Sequence, residues 1–188
     1  MQLRQTPLEG VLVLVPDVHQ DARGEFFESW SARRYAEHGL PTNFVQDNVS
    51  RSRKGTVRGL HLQVPPMEQG KLVYALEGEV FDVAVDVRVG SPTFGRWAGE
   101  RLSASNRHQI YIPPGFAHGF CALSDSAMVA YKCTQYYTPE AELTVRWDDP
   151  DVGIAWPVST PLLSPRDAVA PRLAELPRER LPRVGAGR

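Results

Sequence analysis

Cysteine is nearly absent from this chain, with two residues in 188, Cys121 and Cys133. Neither has a partner at the C-x-x-C spacing of a redox or metal pair, and two cysteines make no disulfide framework. Both sit in apolar runs, where small buried hydrophobes belong. Long hydrophobic runs are missing as well. No stretch approaches the roughly 18 apolar residues that a membrane helix needs. The early run VLVLVPD is too short, and it lacks the basic start and small-residue cleavage site of a secretion signal. The chain is therefore expected in the cytoplasm, without a membrane partner. Charge of one sign is also lacking. Against 21 Lys and Arg stand 22 Asp and Glu, a formal net charge of -1, with a pI near 6.5. That balance excludes the electrostatic footprint of a duplex nucleic-acid binder. It leaves room for a local basic pocket that takes one small phosphate ligand. There is no internal repeat and no low-complexity block.

What the chain does have is strand signal. VLVLV near the start reads as a first strand. A helix is expected at SWSARRYAEHG, with Ser29 or Ser31 as N-cap and Gly39 as the stop. NFVQDNVS and GTVRGLHLQ read as strands. KLVYALEGEVFDVAVDVRVG reads as two strands around the turn Glu77-Gly78. In its second half Phe81, Val83, Val85, Val87 and Val89 fall on one face. Asp82, Ala84, Asp86 and Arg88 fall on the other, the pattern of a sheet with one packed face. GRWAGERLS, HQIYIPPGFAHGFCAL and SAMVAYKCTQYY are further strand candidates, separated by turn signals such as Pro113-Pro114-Gly115. Many short, evenly spaced strands predict an all-β antiparallel sandwich or jelly roll with a few short helices. A length of 188 residues suits one domain. Its core is expected at about residues 1–171. A Pro- and Arg-rich tail, residues 172–188, is expected to be partly disordered.

Reactive side chains stand in unusual places in four segments: RGLHLQ, QGKLVY, PPGFAHGF and AYKCTQYYTPEAE. One explanation is a metal site. Jelly-roll cupins often bind a metal through Gly-x5-His-x-His-x3-4-Glu and Pro-x-Gly-x2-His. Gly55, His61 and Glu68 echo the first motif, and Pro113, Gly115 and His118 the second. However, Gln63 stands where the second histidine belongs, and a neutral amide is a poor transition-metal ligand. Two histidines and a glutamate would still make a facial triad. The other explanation is metal-free acid–base chemistry, which these residue kinds fit better. His61 can be a base near neutral pH. A carboxylate on its far nitrogen would fix its tautomer. A tyrosine can return a proton from the opposite face, and Lys or Arg can stabilise an enolate or bind phosphate.

Taken in order, FFESW, VQDNVSRS, VRGLHLQ, PPMEQGKLVYALEGEVFDVAVDVRVGSPTFGRW, IYIPPGFAHGFCAL, YKCTQYYTPEAE, RWDDPDVGIAWP and LLSPRDAVAP resemble the dTDP-4-dehydrorhamnose 3,5-epimerase family over about residues 23–171. The resemblance implies a cupin-type jelly roll, a homodimer, and no metal or organic cofactor. It implies that dTDP-4-dehydro-6-deoxy-D-glucose is converted to dTDP-4-dehydro-L-rhamnose. By the same resemblance His61 is the base, Asp167 its carboxylate partner and Tyr131 the proton donor. Lys71, with Arg58, would stabilise charge on the C4 oxygen. Substrate contacts are implied at Arg23, Phe26, Glu28, Gln46, Asp47, Asn48, Arg58, Lys71, His118, Tyr137, Glu142 and Arg166, some of them reaching the partner subunit's pocket. For His61 to meet Asp167, the C-terminal segment must fold back over the pocket.

The chain departs from the family at Leu62, where an aromatic is usual. Arg166 stands where lysine is also common. Related epimerases invert only C3 or only C5, so a mono-epimerase is the rival reading. A metal-binding or non-catalytic cupin is the rival from a different class. One geometric expectation follows from RGLHLQ itself. Strand alternation puts Arg58 and His61 on opposite faces. If both reach substrate, Gly59 marks a bulge or twist.

Overall fold

A computed structural model describes residues 1–185 of the chain. In chain order its strands are β1 (Gln2–Gln5), β2 (Leu12–Val15), β3 (Val18–Asp21), β4 (Gly24–Phe27), β5 (Gln46–Arg53), β6 (Val57–Gln63), β7 (Lys71–Glu77), β8 (Glu79–Asp86), β9 (Trp97–Ser103), β10 (Gln109–Ile112), β11 (Phe116–Ala122), β12 (Ser126–Cys133) and β13 (Glu142–Thr144). Two α-helices, α1 (Ala32–Glu37) and α2 (Pro165–Ala168), are short. One sheet has the order β1-β2-β10-β7-β12-β5 and the other β13-β6-β11-β8-β9, while β3 and β4 form a separate hairpin. Strand pairing within the sheets is antiparallel. The expected antiparallel jelly roll is what the chain forms.

The inner faces of the two sheets share one core. Val13, Val73, Ile110 and Val129 from the six-stranded sheet pack with Val80, Ala84, Leu102 and Phe120 from the five-stranded one. Removing each such aliphatic side chain from water contributes roughly 1.5–3 kcal/mol. A second cluster lies on the outer face of the five-stranded sheet. There Val83, Val85 and Val87 meet Val145, Leu173, Leu176 and Leu181 of the C-terminal segment. A third seats Tyr35 of α1 against Leu14, Leu72 and Tyr111 on the outside of the six-stranded sheet. Ser31 occupies the N-cap position of α1, though its side chain makes no capping bond.

Four expectations need correction. VLVLV is not the first strand, because Gln2–Gln5 precedes it and pairs with it. Glu77-Gly78 does not close a hairpin, since β7 and β8 belong to different sheets. Gly78 is the corner between them: its φ is +72°, and a Cβ there would lie 2.2 Å from the Ser126 carbonyl oxygen. β8 is not packed on one face only. Asp82, Ala84 and Asp86 are all 0 % exposed, because the polar face looks into the sandwich and finds partners there. Finally, the C-terminal segment is not loose over its described length. Leu173, Leu176 and Leu181 are buried, the Val89 amide donates to the Pro182 carbonyl at 2.8 Å, and Val89 bridges Arg183. The last part of that expectation, residues 186–188, lies outside the described residues.

Candidate active site

Between the sheets opens a cavity of about 690 Å³. Its position follows from a defect in β6. On this strand His61 pairs with His118 and Arg58 with Phe120. Two residues, Gly59 and Leu60, separate the paired positions on β6, where Gly119 alone separates them on β11. One strand thus carries an extra residue, a β-bulge. The bulge cancels the alternation that would aim residues 58 and 61 apart, and both line the cavity. Gly59 makes this possible. Its φ is +124°, and a Cβ there would stand 2.5 Å from the Gly119 Cα and 2.7 Å from the His118 carbonyl oxygen. The bulge or twist expected at Gly59 is therefore present, and its physical cause is close backbone approach.

The C-terminal chain does fold back over the pocket. Leu162 bridges Thr56 in parallel, and the Val57 amide donates to the Leu162 carbonyl at 3.0 Å. The next residues start α2, whose N-cap Ser164 accepts from the Asp167 amide at 3.1 Å. That turn sets the buried Asp167 carboxylate 2.7 Å from His61 Nε2. Burial opposes charge on Asp167. The His61 hydrogen bond and charge, with Ser164 and the Gly59 backbone, outweigh it and hold the carboxyl below its ordinary value. Arg166 Nη2 also lies 3.2 Å from His61 Nε2, but a ring nitrogen donating to Asp167 has no lone pair for it. Arg166 is held instead by Glu142, at 3.0 Å from Oε1. With its proton directed at Asp167, His61 keeps a lone pair on the other ring nitrogen.

Facing this wall is the six-stranded sheet. It contributes Tyr131 from β12, Lys71 from β7, and Gln46, Asn48 and Ser50 from β5. Burial raises the Tyr131 hydroxyl above its ordinary value, with Cys133 and Glu142 adding to it and Arg58 opposing. The phenol therefore stays protonated. Burial lowers the Lys71 ammonium, against the pull of Cys133, Glu142 and Asp82. His118 Nε2 lies 2.9 Å from Asp82 Oδ2, which accepts from it, and burial holds the imidazole below its ordinary value. At the mouth the Tyr137 hydroxyl donates to Glu142 Oε2 at 2.8 Å. Arg58 is aimed by Ser52, which accepts from Nε at 2.9 Å, and by the Arg51 carbonyl at 3.2 Å from Nη2.

The structure thus brings together His61, Tyr131, Asp167, Lys71, Gln46, Asn48, Arg58, His118, Tyr137, Glu142 and Arg166 around one cavity. Four expected contacts are elsewhere in this chain. Asp47 points away and pairs with Lys132 at 2.8 Å. Glu28 pairs with Arg34 at 3.2 Å. Arg23 and Phe26 lie on the β3–β4 hairpin, with the Arg23 side chain 90 % exposed and Phe26 72 % exposed. Gln63, in the place of a metal-binding histidine, ties loops together instead. Its amide donates to the Met67 and Tyr136 carbonyls at 2.7 and 3.1 Å and accepts from the Thr138 amide at 2.8 Å. Glu68 is not among the lining residues. Among the described residues no three His, Cys, Asp or Glu side chains converge to hold an ion. Sequence reasoning missed Ser50, Thr56, Gln69, Phe120 and Ser164 in the lining. It also missed Asp82 behind His118. A histidine at a strand centre needing a partner was the only signal for it.

A family model described as dTDP-4-dehydrorhamnose 3,5-epimerase matches residues 5–175. A Neisseria gonorrhoeae protein named dTDP-4-dehydrorhamnose 3,5-epimerase is 55 % identical over 89 % of this chain, and the match spans about half of that protein, 51 %. A Shigella flexneri protein of the same name is 50 % identical over 89 % of this chain and 93 % of its own length. The solved structure of dTDP-6-deoxy-D-glucose-3,5-epimerase from Legionella pneumophila, in complex with dTDP-4-keto-L-rhamnose, superposes with a TM-score of 0.95. It is 50 % identical and covers 98 % of this chain and 99 % of that one.

Proposed function

The chain belongs to the dTDP-4-dehydrorhamnose 3,5-epimerase family, and from that premise we propose that it inverts C3 and C5 of dTDP-4-dehydro-6-deoxy-D-glucose to give dTDP-4-dehydro-L-rhamnose. The observation that carries this reading is the opposition across one cavity. A carboxylate-backed imidazole, His61 with Asp167, lines one wall, and a phenol kept protonated, Tyr131, lines the other.

The C4 ketone acidifies the protons on C3 and C5. His61 takes one of them with its free ring nitrogen and becomes an imidazolium that Asp167 stabilises. The electron pair moves to the C4 oxygen as an enolate, beside the Lys71 ammonium and the Arg58 guanidinium. Tyr131 gives its phenolic proton to the other face of the carbon, which inverts it. His61 then loses a proton to solvent and Tyr131 regains one. The same cycle serves the second carbon. No electron leaves or enters the substrate, so the scheme needs no redox cofactor, and Lys71 with Arg58 stabilises the charge on the C4 oxygen.

Arg58, His118 and Arg166 would hold the pyrophosphate and sugar, and Gln46, Asn48 and Tyr137 the thymidine. Arg23, Phe26 and Glu28, which lie outside their own chain's cavity, would complete the partner subunit's site in a homodimer. A pyrophosphate-bearing sugar does not cross a bilayer unaided, which assigns the reaction to the cytoplasm. Among the described residues no helix is long and apolar enough to cross a membrane.

The test is incubation with the dTDP-4-keto sugar in heavy water, read by NMR. Deuterium at both C3 and C5 is expected. Label at one carbon alone would make the protein a mono-epimerase, and no label at all would sink both readings.

A further inference from the structure

Behind the cavity wall lies a second carboxylate–imidazole pair that the scheme above leaves unexplained. Asp82 sits on β8, four residues from Asp86, and both are 0 % exposed. Asp86 has every lone pair directed at a donor: Arg88, Ser91 and Thr93. Asp82 does not. Its Oδ2 meets His118 Nε2 at 2.9 Å, while its Oδ1 is buried without a partner. A buried, half-satisfied carboxylate is costly and calls for an explanation.

Its surroundings supply one. His118 lines the cavity and is the cross-strand partner of His61. Lys71 faces the same space from β7 and senses Asp82 together with Cys133 of β12 and Glu142 of β13. Glu142 is already engaged by Arg166 and Tyr137. Cys133 lies in β12 beside Lys71, and burial pushes its thiol up, so it stays neutral. On β9 the residue opposite Asp82 is Glu100, which is occupied by Arg4 and His108. Asp82 is thus the carboxylate near Lys71 with an oxygen to spare.

We propose that Asp82 is a positioning residue for the reaction. It holds His118 as the neutral tautomer whose proton is on Nε2, so that the other ring nitrogen is an acceptor for a substrate hydroxyl or for Lys71. The proposal rests on the epimerase reading, and one set of measurements separates the two. If wild-type protein puts no deuterium into the sugar, the epimerase reading fails.

If wild type exchanges, Asp82→Asn decides the role of Asp82. The substitution keeps size and one hydrogen bond but removes the charge. It is expected to lower kcat about 10–100-fold, the usual cost of losing an outer-shell partner, with KM little changed. An amide can donate as well as accept, so in the folded variant 15N NMR should show the His118 proton no longer confined to Nε2. A purely structural role would lower melting temperature and leave that signature and kcat unchanged, a result that overturns the proposal. Should the variant not fold, 15N NMR of the wild-type His118 ring serves instead. A proton on Nε2, with Nδ1 bare between pH 6 and 8, is expected. An imidazolium, or a proton on Nδ1, overturns the proposal.

Discussion

Two carboxylates of β8, one at its C-terminal end and one in its middle, are buried in opposite ways. At one end Asp86 accepts from the Arg88 guanidinium at 2.9 and 2.7 Å and from the Ser91 and Thr93 hydroxyls at 2.6 Å each. None of these residues lines the cavity, and the Arg88 guanidinium covers the Phe116 ring at 4.4 Å. In mid-strand Asp82 is left with an oxygen unpaired, and the histidine it touches lines a cavity. The same side chain on the same face thus closes a core at the strand's end and feeds a reaction site at its middle. A fully satisfied network rigidifies. A partly satisfied one stores binding capacity at a cost in stability, which is the trade expected where chemistry occurs. Substitutions on the cavity side should therefore change rates and spare stability. Those at the Asp86 end should do the reverse.

The largest effect is expected from His61→Ala. No neighbour replaces its free ring nitrogen, so deuterium exchange at both carbons should fall by about 10³-fold or more, some 4 kcal/mol of barrier. The substitution also leaves the Asp167 carboxylate, 3 % exposed, without its imidazole, so exchange is compared per folded molecule, with melting temperature measured alongside. Substantial residual exchange by NMR would remove it as the base.

Next comes Asp86→Ala at the strand's end. It strands Arg88, whose side chain is 23 % exposed, and should cost about 3 kcal/mol. That is a fall of roughly 6–12 °C in melting temperature for a chain of this size, with kcat per folded molecule unchanged. The same network predicts a pH dependence. Burial opposes charge on Asp86, but Arg88, Ser91 and Thr93 hold its carboxyl below the ordinary 3.8. A group lowered in the folded state stabilises fully above its unfolded value, and that contribution is lost as pH falls through the folded one. Wild-type stability should therefore drop below about pH 4, and the variant's should drop less. Parallel acid limbs in thermal melts would assign the acid lability to other groups.

Tyr131→Phe separates the two walls. Proton removal by His61 needs no phenol, so exchange should continue while product falls about 10²-fold, near 2.7 kcal/mol. Unimpaired product formation would make another group the acid.

Why the two carboxylates of β8 look alike in the sequence is instructive. Alternation along FDVAVDVRV reports which side chains are polar, not which are wet. Asp82 and Asp86 both read as solvent-facing, because His118, Ser91 and Thr93 enter from other segments. The strands themselves were legible from local pattern, yet their assignment to sheets was not. Glu77-Gly78 and Pro113-Pro114-Gly115 read as turns, and only the packed structure makes both of them crossings from one sheet to the other. In RGLHLQ the bulge was inferable once Arg58 and His61 were both required at one site. Its cause, Gly59 pressed against Gly119, was not, because the contact joins residues 60 positions apart. Leu173, Leu176 and Leu181 were hidden among prolines and arginines, where spacing carries no period. Arg23, Phe26 and Glu28 came from family resemblance alone, and none of them lines their own chain's cavity.

That last group yields the smallest predicted effect and the cleanest test of whether the site is shared. A two-stranded ribbon is marginal by itself. Arg107 holds the β3–β4 hairpin at two points, pairing with Glu25 next to the turn and lying over the Phe27 ring at the base at 5.4 Å. Among the described residues the Arg23 side chain hydrogen-bonds to Asp21, so Arg23→Ala should leave folding intact and raise KM about tenfold. If Arg23 serves the partner's cavity, a dimer of one Arg23→Ala subunit and one His61→Ala subunit has one site carrying both defects and one carrying neither. Subunit exchange between the two variants, assayed below KM, should then raise activity about fivefold over the unexchanged mixture. If Arg23 serves its own chain, exchange leaves every intact His61 beside a missing Arg23, and activity stays where it began.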